Sequence, residues 1–313
     1  MNKMFDNPEK SRVVIIGTGA MACLFGTKIA PYVNKLTLIG TWAEGVKALQ
    51  KDGIHFIEGG VETKTPVQSF QNPEKLKSDI VLVLVKSYQT PRAAKWAAKI
   101  LGSNGLAVTL QNGLGNIEQL RSVLGSKRTA LGVSMESSTL LGPGKAYHGG
   151  KGLTVLTSSP DTQERLKRLN SLFLSAGFET RLTSDSRSLL WGKLVINTAI
   201  NALTAILGVK NGALADQPEG RELMAAVAKE TAEVAKSLGI TLPYPDPVNK
   251  AIEVAQNTAA NRSSMLQDIL RGTPTEIEAI NGEVVKIAHK MGMQAPVNEM
   301  LLRLVRMMSS IKA

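Results

Sequence analysis

The sequence predicts two halves of different construction, an α/β half over residues 1–184 followed by an all-α half over residues 185–313. Three observations carry this. Short β-branched runs, too short for helices and bounded by turn residues, recur through the first half, as buried parallel strands do. A glycine-rich turn follows the first of them directly and opens a helical pattern. Beyond Asp185 such runs stop, and apolar residues recur with helical periodicity only.

Arg12–Ile16 is the first strand expected. It feeds Gly17-Thr18-Gly19-Ala20-Met21-Ala22, and Cys23–Ala30 continues as a helix. Gly17 permits the tight turn, and Gly19 lets the backbone approach a pyrophosphate. Ala22 stands at the third glycine position, which governs helix–strand packing. The helix N-terminus offers free N–H groups and a positive dipole end to phosphate. A strand, this turn and a helix in that order predict a Rossmann-type dinucleotide site made by Gly17 to Ala22.

The second strand is expected at Lys35–Ile39, ending in Gly40-Thr41-Trp42. An acid for the ribose 2′-hydroxyl is missing there, and so is an arginine for a 2′-phosphate. Lys47, one turn into the next segment, is the nearest cation. The balance tilts to NADPH, with NADH open beside it.

Asp79–Val85 is a buried strand ending in Lys86-Ser87-Tyr88-Gln89, which sets Lys86 either at the ligand rim of the sheet or on a solvated strand end. Leu106–Leu110 leads into Gln111-Asn112-Gly113, where Asn112 either caps the turn or faces the cofactor. Leu131–Ser134, a hairpin around Leu141–Gly150 and Leu153–Leu156 supply further strands. A helix at Leu166–Ser175 and a short strand at Gly177–Leu182 complete this half. No residue pairs with His148 at helical or turn spacing, so it reads as structural or superficial.

In the second half, Leu189–Asn201 is an apolar helix into which Lys193, Asn197 and Asn201 are set at i, i+4 and i+8. That spacing drifts only about 40° per step, so the three share a face. The stripe is either solvated or a site, since a lysine on an apolar helix needs partners or water. Helices are expected at Gly220–Leu238, Val248–Leu270, Thr275–Met291 and Val297–Ile311, with Pro243, Pro245 and Pro247 marking a break. Glu276 falls in a first helical turn, where the helix dipole alone would favour it.

Composition excludes several classes. Of the 313 residues, 43% are hydrophobic and 20% charged, as in globular domains. The polar N-terminus, Met1–Lys10, has no apolar core of the signal-peptide kind, and no apolar run reaches the roughly 20 residues of a membrane span. One cysteine, Cys23, excludes an internal disulfide and argues against a thiolate metal centre. These features fit a soluble, cytoplasmic protein without a metal. The net charge of +11 is scattered rather than clustered, and only 4% of residues are aromatic. Attraction of an anionic cofactor and substrate suits that pattern better than nucleic-acid binding. Oligomeric state is not encoded, which leaves a homodimer open.

Together these residues resemble the ketopantoate reductase (2-dehydropantoate 2-reductase) family. The carrying motifs are the Gly17-to-Ala22 turn, Val85-Lys86-Ser87, Gln111-Asn112-Gly113, Trp191-Gly192-Lys193 with Asn197 and Asn201, Lys210-Asn211-Gly212, and Ser264–Asp268 with Glu276 twelve residues beyond Ser264. The resemblance implies a Rossmann domain, a helical domain and an active site in the cleft between them. It implies Lys193 as the catalytic acid, with Asn197, Asn201, Asn211 and Ser264 on the substrate and Glu276 orienting substrate and cofactor. Lys86, Asn112 and Ser138 would contact the nucleotide. The activity implied is NADPH-dependent reduction of ketopantoate to pantoate, toward pantothenate and coenzyme A. Thr41 departs from the family, many of whose members place arginine there. The rivals are a 3-hydroxyacid dehydrogenase of the 6-phosphogluconate type and a catalytically silent NADP-binding sensor.

Overall fold

The computed structural model describes residues 11–73 and 75–311, so the polar segment Met1–Lys10 lies outside the described residues. The chain divides into two compact units, residues 1–111 with 116–186, and residues 112–115 with 187–313.

The first unit is built on an eight-stranded sheet. Its strands are β1 (Arg12–Ile16), β2 (Lys35–Ile39), β5 (Gln68–Phe70), β6 (Ser78–Val83), β7 (Leu101–Thr109), β8 (Thr129–Ser134), β11 (Thr154–Thr157) and β12 (Thr180–Thr183). In space the order is β12-β11-β8-β7-β6-β1-β2-β5. From β5 to β8 all pairs are parallel, and β11 is antiparallel to β8. The central strands alternate between two apolar layers, Val13 and Ile15 facing one and Val14 and Ile16 the other. Burial on both faces is why these strands read as unbroken apolar runs. Helices α1 (Ala20–Ile29) and α5 (Gln163–Ser175) cover one face, and α3 (Thr90–Ile100) with α4 (Asn116–Leu124) the other. Helix α2 (Ala43–Asp52) follows β2.

A second, four-stranded sheet has the order β4 (Val61–Thr65), β3 (Ile54–Glu58), β10 (Lys145–Gly150), β9 (Ser137–Gly142). Strands β3, β4 and β5 have no counterpart in the sequence reading. Glu62 and Lys64 interrupt any apolar run there, and four of the five β4 residues are exposed. Against this sheet His148 is buried between two carboxylates, Nδ1 2.9 Å from Glu58 Oε1 and Nε2 2.7 Å from Glu136 Oε2. Both partners come through strand pairing rather than local spacing.

The second unit contains α6 (Arg187–Leu207), α7 (Asn211–Asp216), α8 (Pro218–Ser237), α9 (Pro247–Asn257), α10 (Ser264–Leu270), α11 (Glu283–Lys290) and α12 (Pro296–Ile311), packed around one apolar core. The helix expected at Val248–Leu270 is broken. Thr258 turns its hydroxyl back onto the Val254 carbonyl, and Ser263 starts α10 by accepting from the Leu266 N–H. The helix expected at Thr275–Met291 begins instead as a π-helix, Glu278–Gly282, with the Gly282 N–H reaching the Ile277 carbonyl. Helix α6 is the one described helix that bears on the expectation of no membrane span. It is long and apolar enough to span, with a window of mean hydropathy 1.4, but 67% of that window is buried within the protein. Its apolarity is that of a core helix.

Candidate active site

The candidate nucleotide site begins at β1. Gly17 holds φ at +144°, and a Cβ there would stand 2.8 Å from the Leu84 carbonyl oxygen. The turn therefore admits no side chain at Gly17. A Cβ on Gly19 would meet nothing within 4 Å, and Gly19 caps α1 without any side chain bonding its first N–H groups. Those donors and the open approach fit a pyrophosphate. Ala22 is fully buried in the apolar layer, so its methyl is accommodated by packing. Cys23 is also buried, which pushes its thiol up to about 12 and makes it unreactive.

Around this turn lie the other nucleotide candidates of the first unit. Strand β6 ends at Val83, and Lys86 opens a short 3₁₀ turn from an extended conformation. Gln111 braces that loop, its amide donating to the Val85 carbonyl at 2.9 Å and to Thr90 Oγ1 at 2.8 Å. Ser138 has its hydroxyl 3.1 Å from the carbonyls of both Ala20 and Tyr147, tying the small sheet to the first turn of α1. Thr41 and Lys47 are exposed beyond β2.

Asn112 falls elsewhere. The loop 112–115 groups with the helical unit, where the Leu114 N–H donates to the Ala279 carbonyl at 2.8 Å. Gly113, at φ +80°, lies so close that a Cβ would be 2.4 Å from that same oxygen. Asn112 is thus held beside the π-helix that follows Glu276.

In the helical unit, α6 carries Lys193 and Asn197 half-buried and Asn201 buried. Burial lowers the Lys193 pKa to about 8, against the opposing pull of the Glu276 carboxylate. Glu276 is itself buried, in the bend before the π-helix rather than in a first helical turn. Its electrostatic contact with Lys193 crosses 83 residues of sequence. Ser264 is the first residue of α10, and its neighbour Ser263 accepts from Thr204 Oγ1 at 2.7 Å, joining α10 to α6. Asn211 donates its amide N–H to Thr258 Oγ1 at 2.9 Å, while its Oδ1 is buried without a hydrogen-bond donor.

Sequence reasoning missed the supports of this site. Thr198, beside Asn197, bonds Thr231 at 3.0 Å. Asn298 then links Thr231, Glu230 and Asn281 of the π-helix. Tyr244 donates to the Gly192 carbonyl at 2.7 Å. These are contacts between segments far apart in sequence, and only a buried polar residue on an otherwise apolar face hints at them.

Comparison with known proteins decides the family. The profile of "Ketopantoate reductase PanE/ApbA" matches residues 13–161, and that of its C-terminal domain matches residues 185–309. The chain belongs to the ketopantoate reductase family. The 2-dehydropantoate 2-reductase of Pyrococcus horikoshii is 33% identical, covering 96% of this chain and 98% of its own. A ketopantoate reductase of this family from Ralstonia eutropha superposes with a TM-score of 0.86 at 31% identity, over 96% of this chain and 99% of its own. D-Mandelate dehydrogenase, solved with NADH and anilino(oxo)acetate, shares the fold at a TM-score of 0.88 and 23% identity, over 96% and 99%. Family membership makes the chain an oxidoreductase of α/β construction with a Rossmann-like first unit.

Proposed function

We propose that the protein reduces 2-dehydropantoate to pantoate with NADPH, in the cytoplasm, for pantothenate and coenzyme A synthesis. The observation that carries this is Lys193, whose burial brings its pKa to about 8 on the same helix as Asn197 and Asn201 and within the field of Glu276.

Gly17 to Ala22 would hold the pyrophosphate, with Lys86, Asn112, Ser138 and Glu276 as further contacts to the cofactor. When bound, NADPH supplies the hydride for the C2 ketone. Negative charge then develops on the ketone oxygen, and the Lys193 ammonium both stabilises it and donates the proton. A pKa near 8 leaves the lysine protonated at neutral pH yet a far better acid than an exposed amine. Asn197 and Asn201 orient the ammonium without adding charge. Asn211, whose buried Oδ1 has no donor, Ser264 and Asn112 hold the substrate. Glu276 accepts from the substrate hydroxyl and keeps Lys193 charged. NADPH is favoured over NADH through Lys47, exposed on α2, as the cation nearest a 2′-phosphate. The partner besides substrate is a second copy of the chain, which light scattering tests.

The experiment follows NADPH and NADH oxidation with ketopantoate, other 2-keto acids and, in reverse, 3-hydroxy acids. Ketopantoate turnover with NADPH is expected, falling roughly 10²- to 10⁴-fold in Lys193→Ala. Faster turnover of a 3-hydroxy acid, or cofactor binding with no turnover of any substrate, contradicts the proposal.

A further inference from the structure

Gly192 is an odd residue for the middle of a 21-residue helix. Glycine there costs about 1 kcal/mol relative to alanine. The chain that packs against it accounts for the choice. A Cβ on Gly192 would stand 2.7 Å from both Cδ and Cγ of Pro243 and 3.3 Å from the Tyr244 ring. The segment Leu242-Pro243-Tyr244-Pro245-Asp246-Pro247 joins α8 to α9. Its three prolines fix φ at alternate positions, which makes it a stiff strap. Asp246 anchors its far end by accepting from the N–H groups of Val248 and Asn249, both at 2.9 Å.

At the near end the Tyr244 hydroxyl donates to the Gly192 carbonyl at 2.7 Å. A helical carbonyl has a second lone pair beyond the one used by the helix ladder, so this bond adds to the helix without breaking it. Burial raises the Tyr244 phenol well above its usual range, so it remains a donor at any working pH.

We infer that Pro243 and Tyr244 are positioning residues for Lys193, gripping the helix backbone one residue before it. The inference rests on the reading of Lys193 as proton donor. A lysine stem has four rotatable carbons, so the placement of its ammonium depends on a helix backbone that does not shift or rotate at its base. The strap supplies that fixed base, and it requires glycine at 192 because any side chain would lift it off.

The test uses Gly192→Ala, Tyr244→Phe and the double variant Gly192→Ala/Pro243→Ala. In the double variant the clashing ring atoms are gone. Two readouts are taken: kcat and KM with ketopantoate, and the pH dependence of acetylation of the Lys193 amine without substrate, resolved by mass spectrometry. Gly192→Ala should lower kcat at least tenfold with KM nearly unchanged. It should also raise the Lys193 titration midpoint by half a pH unit or more, as water reaches an amine whose pKa burial holds down. The double variant should recover most of both. Tyr244→Phe, which adds no atoms and so carries the test if Gly192→Ala does not fold, should lower kcat about three- to tenfold.

If Gly192→Ala and Tyr244→Phe keep wild-type kcat and midpoint, or if relieving the clash restores nothing, the inference is overturned. Should wild type fail to reduce ketopantoate, the proposed function fails, while the acetylation midpoints still judge the strap.

Discussion

The two units make their sites from different material. In the first, the nucleotide turn is backbone: Gly17 excludes a side chain, Gly19 leaves its face open, and α1 starts with uncapped N–H groups. In the second, the proposed site is side chains, with Lys193, Asn197 and Asn201 on α6, Glu276 before the π-helix and Asn211 on α7. A backbone site is local in sequence and intolerant of added atoms. A side-chain site is dispersed, and its chemistry is set by burial and neighbouring charge.

The comparison breaks most sharply in a pair of variants. Gly17→Val places atoms against the Leu84 carbonyl in a strained conformation. It should weaken NADPH binding at least a hundredfold by calorimetry. Lys193→Ala should leave that affinity within about threefold while lowering turnover roughly 10²- to 10⁴-fold. If both variants lose nucleotide alike, the division of labour is wrong.

A smaller effect concerns stability. A buried lysine with a depressed pKa destabilises the fold wherever the unfolded chain holds the proton more tightly. For Lys193 that cost is fully present below about pH 8 and fades as pH rises towards the ordinary value of 10.5. Lys193→Met should therefore raise stability at pH 7 by on the order of 2 kcal/mol. The gain should shrink from about pH 8 upward and be lost above about pH 10.5 in denaturant titrations. An unchanged or lower stability at pH 7 would mean the amine is well solvated.

The legibility of the sequence follows the same division. Gly17 to Ala22 could be read directly because strand, turn and helix are contiguous. Lys193, Asn197 and Asn201 could be read from helical spacing. Glu276 could not be tied to Lys193 by any local pattern, and only family resemblance proposed it for the site. The strand at 61–65 was hidden because an exposed edge needs no apolar run. The helix break at 258–263 and the π-helix at 278–282 were hidden because side-chain caps and a π-turn override periodicity. His148 read as structural or superficial and is buried, but its carboxylate partners were not legible, since strand pairing brings them together.

The smallest expected change is a shift in acidity. Glu276 raises the Lys193 pKa, so Glu276→Gln should lower it and move the rate profile to lower pH. A shift to higher pH would mean that the carboxylate does not act on the ammonium.

The central claim is that Lys193, made acidic by burial, donates the proton. The pH dependence of kcat/KM for ketopantoate reduction with NADPH tests it most directly. A protonated donor predicts a plateau at lower pH, a midpoint near 8 and a tenfold fall per pH unit above it. A profile flat from pH 6 to 10, or one that rises through 8, would contradict it.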